Sequence, residues 1–171
     1  MKTITKKVLA ALVSVIMLGD WGLYGASPEL GENSSSKYNE NNALNNIKDN
    51  PVNWIEADNA RGAGEIEIER AQNGTPIVHI NRASVGGVSV NYYKDFNVNE
   101  ENLILNNYKG SAVNTKLAGV VYGNPNFNKD GGKEAQIILN EVTSVKQTKI
   151  EGYVEIAGRK ADLIIANPNG I

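Results

Sequence analysis

An all-β fold is what the sequence predicts, and three observations predict it. Asparagine supplies 24 of the 171 residues and glycine 17, against only two phenylalanines. Both residues serve turns, because both tolerate φ > 0 and Asn hydrogen-bonds its own backbone. Short apolar runs alternate with these turn residues, and between positions 62 and 171 no stretch of ten or more residues carries a helical period. A helical bundle is not expected.

The first 26 residues stand apart as a signal peptide. Lys2, Lys6 and Lys7 form a basic start, and residues 8–19 (VLAALVSVIMLG) are an uncharged apolar run ended by Asp20. A helix of that length spans about 18 Å, short of the roughly 30 Å hydrocarbon core. The order of charge, then apolar run, is that of a secretory signal. Cleavage falls near Ala26, although Tyr24 is large for an A-x-A site. Removal of this segment leaves 14 basic and 18 acidic residues. Export of a chain without cysteine fits a protein that folds without an oxidant. No second apolar run reaches eighteen residues, so the sequence points to a secreted or cell-surface protein that passes the periplasm.

Residues 27–59 read as a polar Asn/Ser-rich leader, expected to be disordered. Leu44, Ile47 and Trp54 are its candidates for the apolar side of a short helix. The folded domain is expected over 60–171. Residues 64–70 (GEIEIER) alternate strictly, with Ile66 and Ile68 on one face and Glu65, Glu67 and Glu69 on the other, which is a half-buried strand. Further strand pieces are predicted at 76–80, 88–90, 96–98, 103–105, 113–122, 135–139, 150–156 and 162–166. Asn, Gly or Asp fills nearly every gap, as at Asn73-Gly74, Gly86-Gly87, Asn106-Asn107 and Asp130-Gly131-Gly132.

Sandwich, barrel and solenoid all satisfy this pattern. A faint echo leans toward the solenoid: NLILNN at 102–107 returns as QIILNE at 136–141, and NPNF at 124–127 returns as NPNG at 167–170. In a parallel β-helix stacked asparagines form hydrogen-bonded ladders. The segment Asn167, Pro168, Asn169, Gly170 satisfies the type I turn preferences at all four positions. In the first copy, Asn124, Pro125 and Asn126 are followed by Phe127, a large apolar residue either tucked into the core or offered to a partner.

Chemistry is sparse. Without cysteine there is no disulfide, thiolate metal site or thiol nucleophile, and a formal charge of −2 offers no footprint for nucleic acid. His79 is the only histidine and sits mid-strand, where a surface or partly buried side chain is the ordinary reading rather than a triad base. Gly131-Gly132-Lys133 lacks the Ser or Thr and the upstream Gly of a phosphate-binding loop. Glu65, Glu67 and Glu69 lie at about 6–7 Å intervals, a spacing open to glycoside hydrolysis or calcium, but a solvated strand face explains them. No catalytic residue, cofactor or metal site is expected.

From Asn73 onward the sequence resembles the N-terminal secretion domain of two-partner-secretion exoproteins of the filamentous-haemagglutinin type. The carriers are Asn73-Gly74-Thr75-Pro76-Ile77-Val78, Gly87-Val88-Ser89-Val90-Asn91, Asp95-Phe96-Asn97-Val98 and Leu103-Ile104-Leu105-Asn106-Asn107. They continue through Ala112-Val113-Asn114-Thr115, Gly123-Asn124-Pro125-Asn126 and Ile138-Leu139-Asn140-Glu141-Val142-Thr143. Gly152-Tyr153-Val154-Glu155-Ile156-Ala157-Gly158 and Ile165-Ala166-Asn167-Pro168-Asn169-Gly170-Ile171 complete the set.

The resemblance implies a right-handed parallel β-helix with an N-terminal strand cap. It also implies a non-catalytic module that targets and folds an adhesin or contact-dependent toxin. The implied partner is an outer-membrane barrel transporter, met largely unfolded through its periplasmic modules; a host or neighbouring cell surface would be met through a C-terminal region. Asn124, Pro125, Asn126 and Phe127 match the motif associated with transporter recognition, with Phe127 in place of the usual Leu. Asn167, Pro168, Asn169 and Gly170 match the second motif, whose implied role is structural. Family domains run past this point, so the chain is expected to be an N-terminal part whose last rung has unpaired edges, and residues 27–171 alone are expected to fold poorly. The readings set against this one are a secreted β-helix enzyme acting on polysaccharide and a stand-alone surface adhesin.

Overall fold

Two parallel sheets are built by strands that alternate along the chain. The structure, a computed structural model, describes residues 50–171 apart from Ala63, Lys129 and Asp130. The signal peptide and most of the leader lie outside the described residues. The strands are β1 (Ile55–Ala57), β2 (Glu67–Arg70), β3 (Pro76–His79), β4 (Val88–Phe96) and β5 (Leu103–Asn107). They continue as β6 (Ala112–Thr115), β7 (Gly119–Tyr122), β8 (Ile137–Val142), β9 (Val154–Gly158) and β10 (Asp162–Ala166).

One sheet has the order β1-β4-β8-β10 and the other β2-β3-β5-β9. The pairs β4–β8, β8–β10, β3–β5 and β5–β9 are all parallel. Each coil therefore gives one strand to each sheet: β3 and β4, then β5 and β8, then β9 and β10. A bridge between Val98 and Ile150 marks the third side. This is a short parallel β-helix. At its N-terminal end β1 and β2 pair antiparallel to β4 and β3 and form the cap.

Alternation sets the faces. Along β4 the buried positions are Ser89, Asn91, Tyr93 and Phe96, and along β8 they are Ile138, Asn140 and Val142. Burial alone pushes the Tyr93 hydroxyl far above the ordinary tyrosine range. Inside, Val78, Ile80, Phe96, Val98, Leu103, Leu105 and Phe127 are fully enclosed. An asparagine ladder exists, but within strands rather than at turns: Asn91 Nδ2 donates to Asn140 Oδ1 at 3.2 Å, and Ile165 occupies the next rung.

The echo at 102–107 and 136–141 has a different origin from stacking. The first segment contains β5 and the second contains β8, so the two lie in different sheets. Stacked partners are instead Ile77 with Ile104 and Val88 with Ile137. The second interval is the longer one because the β6–β7 hairpin is inserted between β5 and β8.

That hairpin corrects the single strand expected over 113–122. Gly119 takes φ +68, Thr115 Oγ1 donates to the Gly119 carbonyl at 2.8 Å, and the Ala118 N–H donates to Thr115 Oγ1, which turns the chain back. Its inner side, with Ala118 and Val121, packs on Ile77, Ile104 and Ala157, so this sheet is buried on both faces. The carboxylate of Glu155 accepts the Lys116 and Leu117 N–H groups at 2.9–3.0 Å and pins the hairpin turn to the third coil.

The fold also starts earlier than composition places it. Ile55 is buried in the core and β1 pairs with β4, although both residues 55–57 and Trp54 fall in the stretch read as leader. Asn97 fixes this entry by giving its backbone and side-chain N–H groups to the Trp54 carbonyl. Two apolar contacts and a few backbone bonds outweigh a polar neighbourhood. The short piece expected at 88–90 runs on to Phe96 as a nine-residue β4, alternating as far as Tyr93 and then shifting register against β1 so that Phe96 is buried too.

Candidate functional site

The first N-P-N segment is a single 3₁₀ turn over Pro125–Phe127, closing the inserted hairpin before β8. Asn124 is its cap. The Asn124 carboxamide oxygen accepts the Asn126 N–H at 2.9 Å, and Pro125 presets the first helical φ. Its Nδ2 donates to two carbonyls on different coils, Ile80 at 2.9 Å and Asn106 at 2.7 Å. The Asn124 N–H donates to the Tyr108 carbonyl at 2.7 Å.

Asn126 reaches the other way. Its Nδ2 donates to the carbonyls of Glu65, His79 and Ile80 at 3.0–3.2 Å, which ties the turn to the segment entering β2 and to the end of β3. Phe127 is 0% exposed and sits in the core with Ile80 and Leu105. Gly132 is needed beside it, since a Cβ there would lie 2.7 Å from the Phe127 Cα. Of the two fates open to Phe127 from sequence, the folded chain takes the buried one. Asn124 is likewise fully enclosed, and Asn126 is 9% exposed.

The second segment repeats the local geometry at another corner. Asn167 Oδ1 accepts the Asn169 N–H at 2.9 Å, and the Gly170 N–H donates to the Asn167 carbonyl. Asn167 Nδ2 donates to the Lys146 carbonyl and to Thr148 Oγ1, and Asn169 Nδ2 donates to the Ser144 carbonyl. Here Asn167 and Asn169 are only half-buried, and Pro168 and Gly170 are exposed. The anchoring loop is itself held by Lys146 Nζ, 2.8 Å from Asp95; this hydrogen bond raises the lysine above its ordinary range. The two copies are thus alike in the turn and different in depth.

Depth sets the expected sensitivity. Asn169→Ala should lower stability by about 1 kcal/mol, because water replaces the lost bond to Ser144. Asn126→Ala takes the donor from the Glu65 and His79 carbonyls, while Ile80 keeps its bond from Asn124, and should lower it by about 2 kcal/mol. Urea midpoints of the two variants check the ordering.

The acidic strand face is exposed at Glu65, Glu67 and Glu69, as the alternation requires. Glu69 Oε1 lies 3.0 Å from Nε2 of His79, and this hydrogen bond holds the Glu69 carboxyl below its ordinary range against partial burial. His79 itself is buried, with Asn106 Nδ2 3.2 Å from its Nδ1. Asn106, whose carbonyl accepts from Asn124, reads from sequence only as a turn residue and a carrier of the resemblance, and Asn81 carries no signal there at all. Asn81 donates its Nδ2 to the Val90 carbonyl and its backbone N–H to Asn91 Oδ1 at the corner after β3.

Residues 54–171 match the family model of the TPS secretion domain. The chain belongs to the TPS secretion domain family. The secretion domain is 43% identical over 109 residues to the 16S rRNA endonuclease CdiA of Enterobacter cloacae subsp. cloacae. It is 48% identical over 113 residues to Toxin CdiA of Yersinia pestis. These matches cover 64% and 66% of the chain but only 3% of each relative. Among solved structures it is similar to the filamentous hemagglutinin secretion domain, with 34% identity and a TM-score of 0.58 over 68% of this chain and 36% of that one. The resemblance drawn from the motifs and the β-helix expected from it therefore both stand, and the module is a secretion domain of two-partner-secretion type.

Proposed function

We propose that this secretion domain works as the targeting and folding module of a longer exoprotein, without catalysis of its own, and that an outer-membrane transporter reads Asn124, Pro125, Asn126 and Phe127 through its periplasmic modules before the domain folds. One observation carries the reading: the folded chain encloses the side chains of Asn124, Asn126 and Phe127. A partner that reads these side chains must meet them unfolded, and folding then withdraws them. Closing the motif into the solenoid after passage makes the step one-way, because its bonds to Glu65, His79, Ile80 and Asn106 form only in the folded state. Asn167, Pro168, Asn169 and Gly170 act structurally at the corner after β10. The stretch matched in the CdiA relatives is a small part of each, and we assign to it delivery rather than the activity in their names.

The test is export in cells carrying a cognate transporter, with signal-peptide processing followed in parallel. Asn124→Ala and Asn126→Ala should leave processing intact and hold the chain in the periplasm. Leu105→Ala, a core change of similar or larger stability cost placed outside the motif, should still be exported. Normal export of both asparagine variants would refute recognition through the motif. Equal retention of Leu105→Ala would show that stability, not the motif, is being read.

A further inference from the structure

His79 is the single histidine of the chain, and the fold places it where four elements meet. From β2, Glu69 Oε1 lies 3.0 Å from its Nε2. On β5, its register partner is Asn106, whose Nδ2 lies 3.2 Å from its Nδ1. That same Nδ2 donates to the Tyr122 carbonyl of β7 at 2.8 Å, so Asn106 links the solenoid wall to the hairpin. The 3₁₀ turn contributes Asn126, which donates to the His79 carbonyl.

The backbone settles the orientation of Asn106. Its nitrogen must face the Tyr122 carbonyl, and its oxygen accepts the Tyr108 N–H at 3.2 Å. Flipping the amide would lose both bonds. A donor therefore faces Nδ1, so Nδ1 is the acceptor and the ring proton of neutral His79 sits on Nε2, toward Glu69. Protonation puts a second N–H on Nδ1, and two donors then oppose each other in a buried site. The bond to the Glu69 carboxylate meanwhile becomes an ion pair and tightens. Glu67 stands opposite His79 in register and is exposed, so the cap strand brings carboxylates beside the ring, while Glu155 of β9 lies further along the same face. Charging the ring thus shifts its hold from the hairpin side to the cap side.

We propose that the His79–Asn106 contact is a proton-operated latch. Closed with neutral imidazole, it keeps the β6–β7 hairpin on the sheet; open with imidazolium, it frees the hairpin while the coils stay folded. Release uncovers the apolar strip of Ile77, Ile104 and Ala157 that the hairpin covers. The hairpin's other titratable anchor is Glu155 at its turn, whose partners are the Lys116 and Leu117 N–H groups.

The full chain is followed by amide hydrogen exchange at about pH 8 and about pH 5.5. Rates are expressed as protection factors, so the intrinsic pH effect cancels, and the His79 ring is titrated by NMR in the same sample. Amides of residues 112–122 should lose about tenfold protection or more with the midpoint of the ring, while β4 and β8 keep theirs. Glu155→Gln should loosen the hairpin at both pH values and leave the pH dependence in place, whereas His79→Gln should remove that dependence. If His79→Gln does not fold, the wild-type titration still decides. A ring that titrates while the hairpin stays protected overturns the latch. So does loosening at another midpoint, loss of protection in all strands together, or pH dependence that vanishes in Glu155→Gln.

Discussion

Phe127→Ala should destabilise the secretion domain by about 3–5 kcal/mol, a large share of the roughly 5–15 kcal/mol that holds a domain of this size. The side chain is 0% exposed and fills the interior behind the 3₁₀ turn. Its removal leaves a cavity whose walls belong to strands fixed by two sheets, so collapse around it is limited. Phe127→Leu is the informative partner. It keeps most of the apolar volume and should lose no more than about 1.5 kcal/mol. Denaturant midpoints read both. A loss below about 1 kcal/mol for Phe127→Ala would mean that the 3₁₀ turn does not seat its last residue in the core. The same pair separates packing from recognition in cells. If burial is what position 127 supplies, Phe127→Leu is exported like the parent, and Phe and Leu are equivalent there.

Asn124→Asp is nearly isosteric and should still be among the most damaging changes in the domain. One carboxyl oxygen keeps the Asn126 N–H, but the other faces the carbonyls of Ile80 and Asn106, where the amide donated at 2.9 and 2.7 Å. An ionised group there is buried without a cation and repelled by two acceptors, at about 3–5 kcal/mol. A protonated group retains one donor and recovers part of that loss.

The pH sign follows. The introduced carboxyl holds its proton more tightly in the folded state than in the unfolded chain, where its ordinary value is about 3.9. Stability relative to the parent is thus best below that value and falls as pH rises through the folded-state titration. Urea unfolding of both proteins at about pH 4, 5.5 and 7 should show the gap widening with pH. A gap that stays flat or narrows would mean that position 124 is wet rather than enclosed.

Much of the architecture was legible because solenoid strands report their faces directly. The alternation at 64–70 put Ile66 inside and the three glutamates outside, as in the folded chain. The turn glycines and the N-P-N segments marked real corners, since Gly74 and Gly87 take positive φ and both motifs close turns. What alternation could not convey was connection. Residues 113–122 have the texture of one strand, and only packing on Ile77 and Ile104 makes it pay to fold them back as a hairpin. The two N-P-N copies look equal on paper and differ in depth because Asn124 bonds carbonyls on two coils, whereas Asn167 and Asn169 bond a loop at 144–148. Trp54 and Ile55 read as leader in the sequence because burial of an isolated pair leaves no periodic mark.

By itself the amino-acid sequence determined the all-β class, the positions of most turns and the family, since these rest on local rules: φ tolerance, period-two alternation and short ordered motifs. Tertiary structure alone decided which strands stack, which asparagines are buried, and that His79 is placed between Glu69 and Asn106. The reason is distance along the chain. Asn126 bonds to Glu65, 61 positions away, and Asn91 to Asn140, 49 away. No local pattern encodes a donor's partner at such separation; it exists only once the coils have closed.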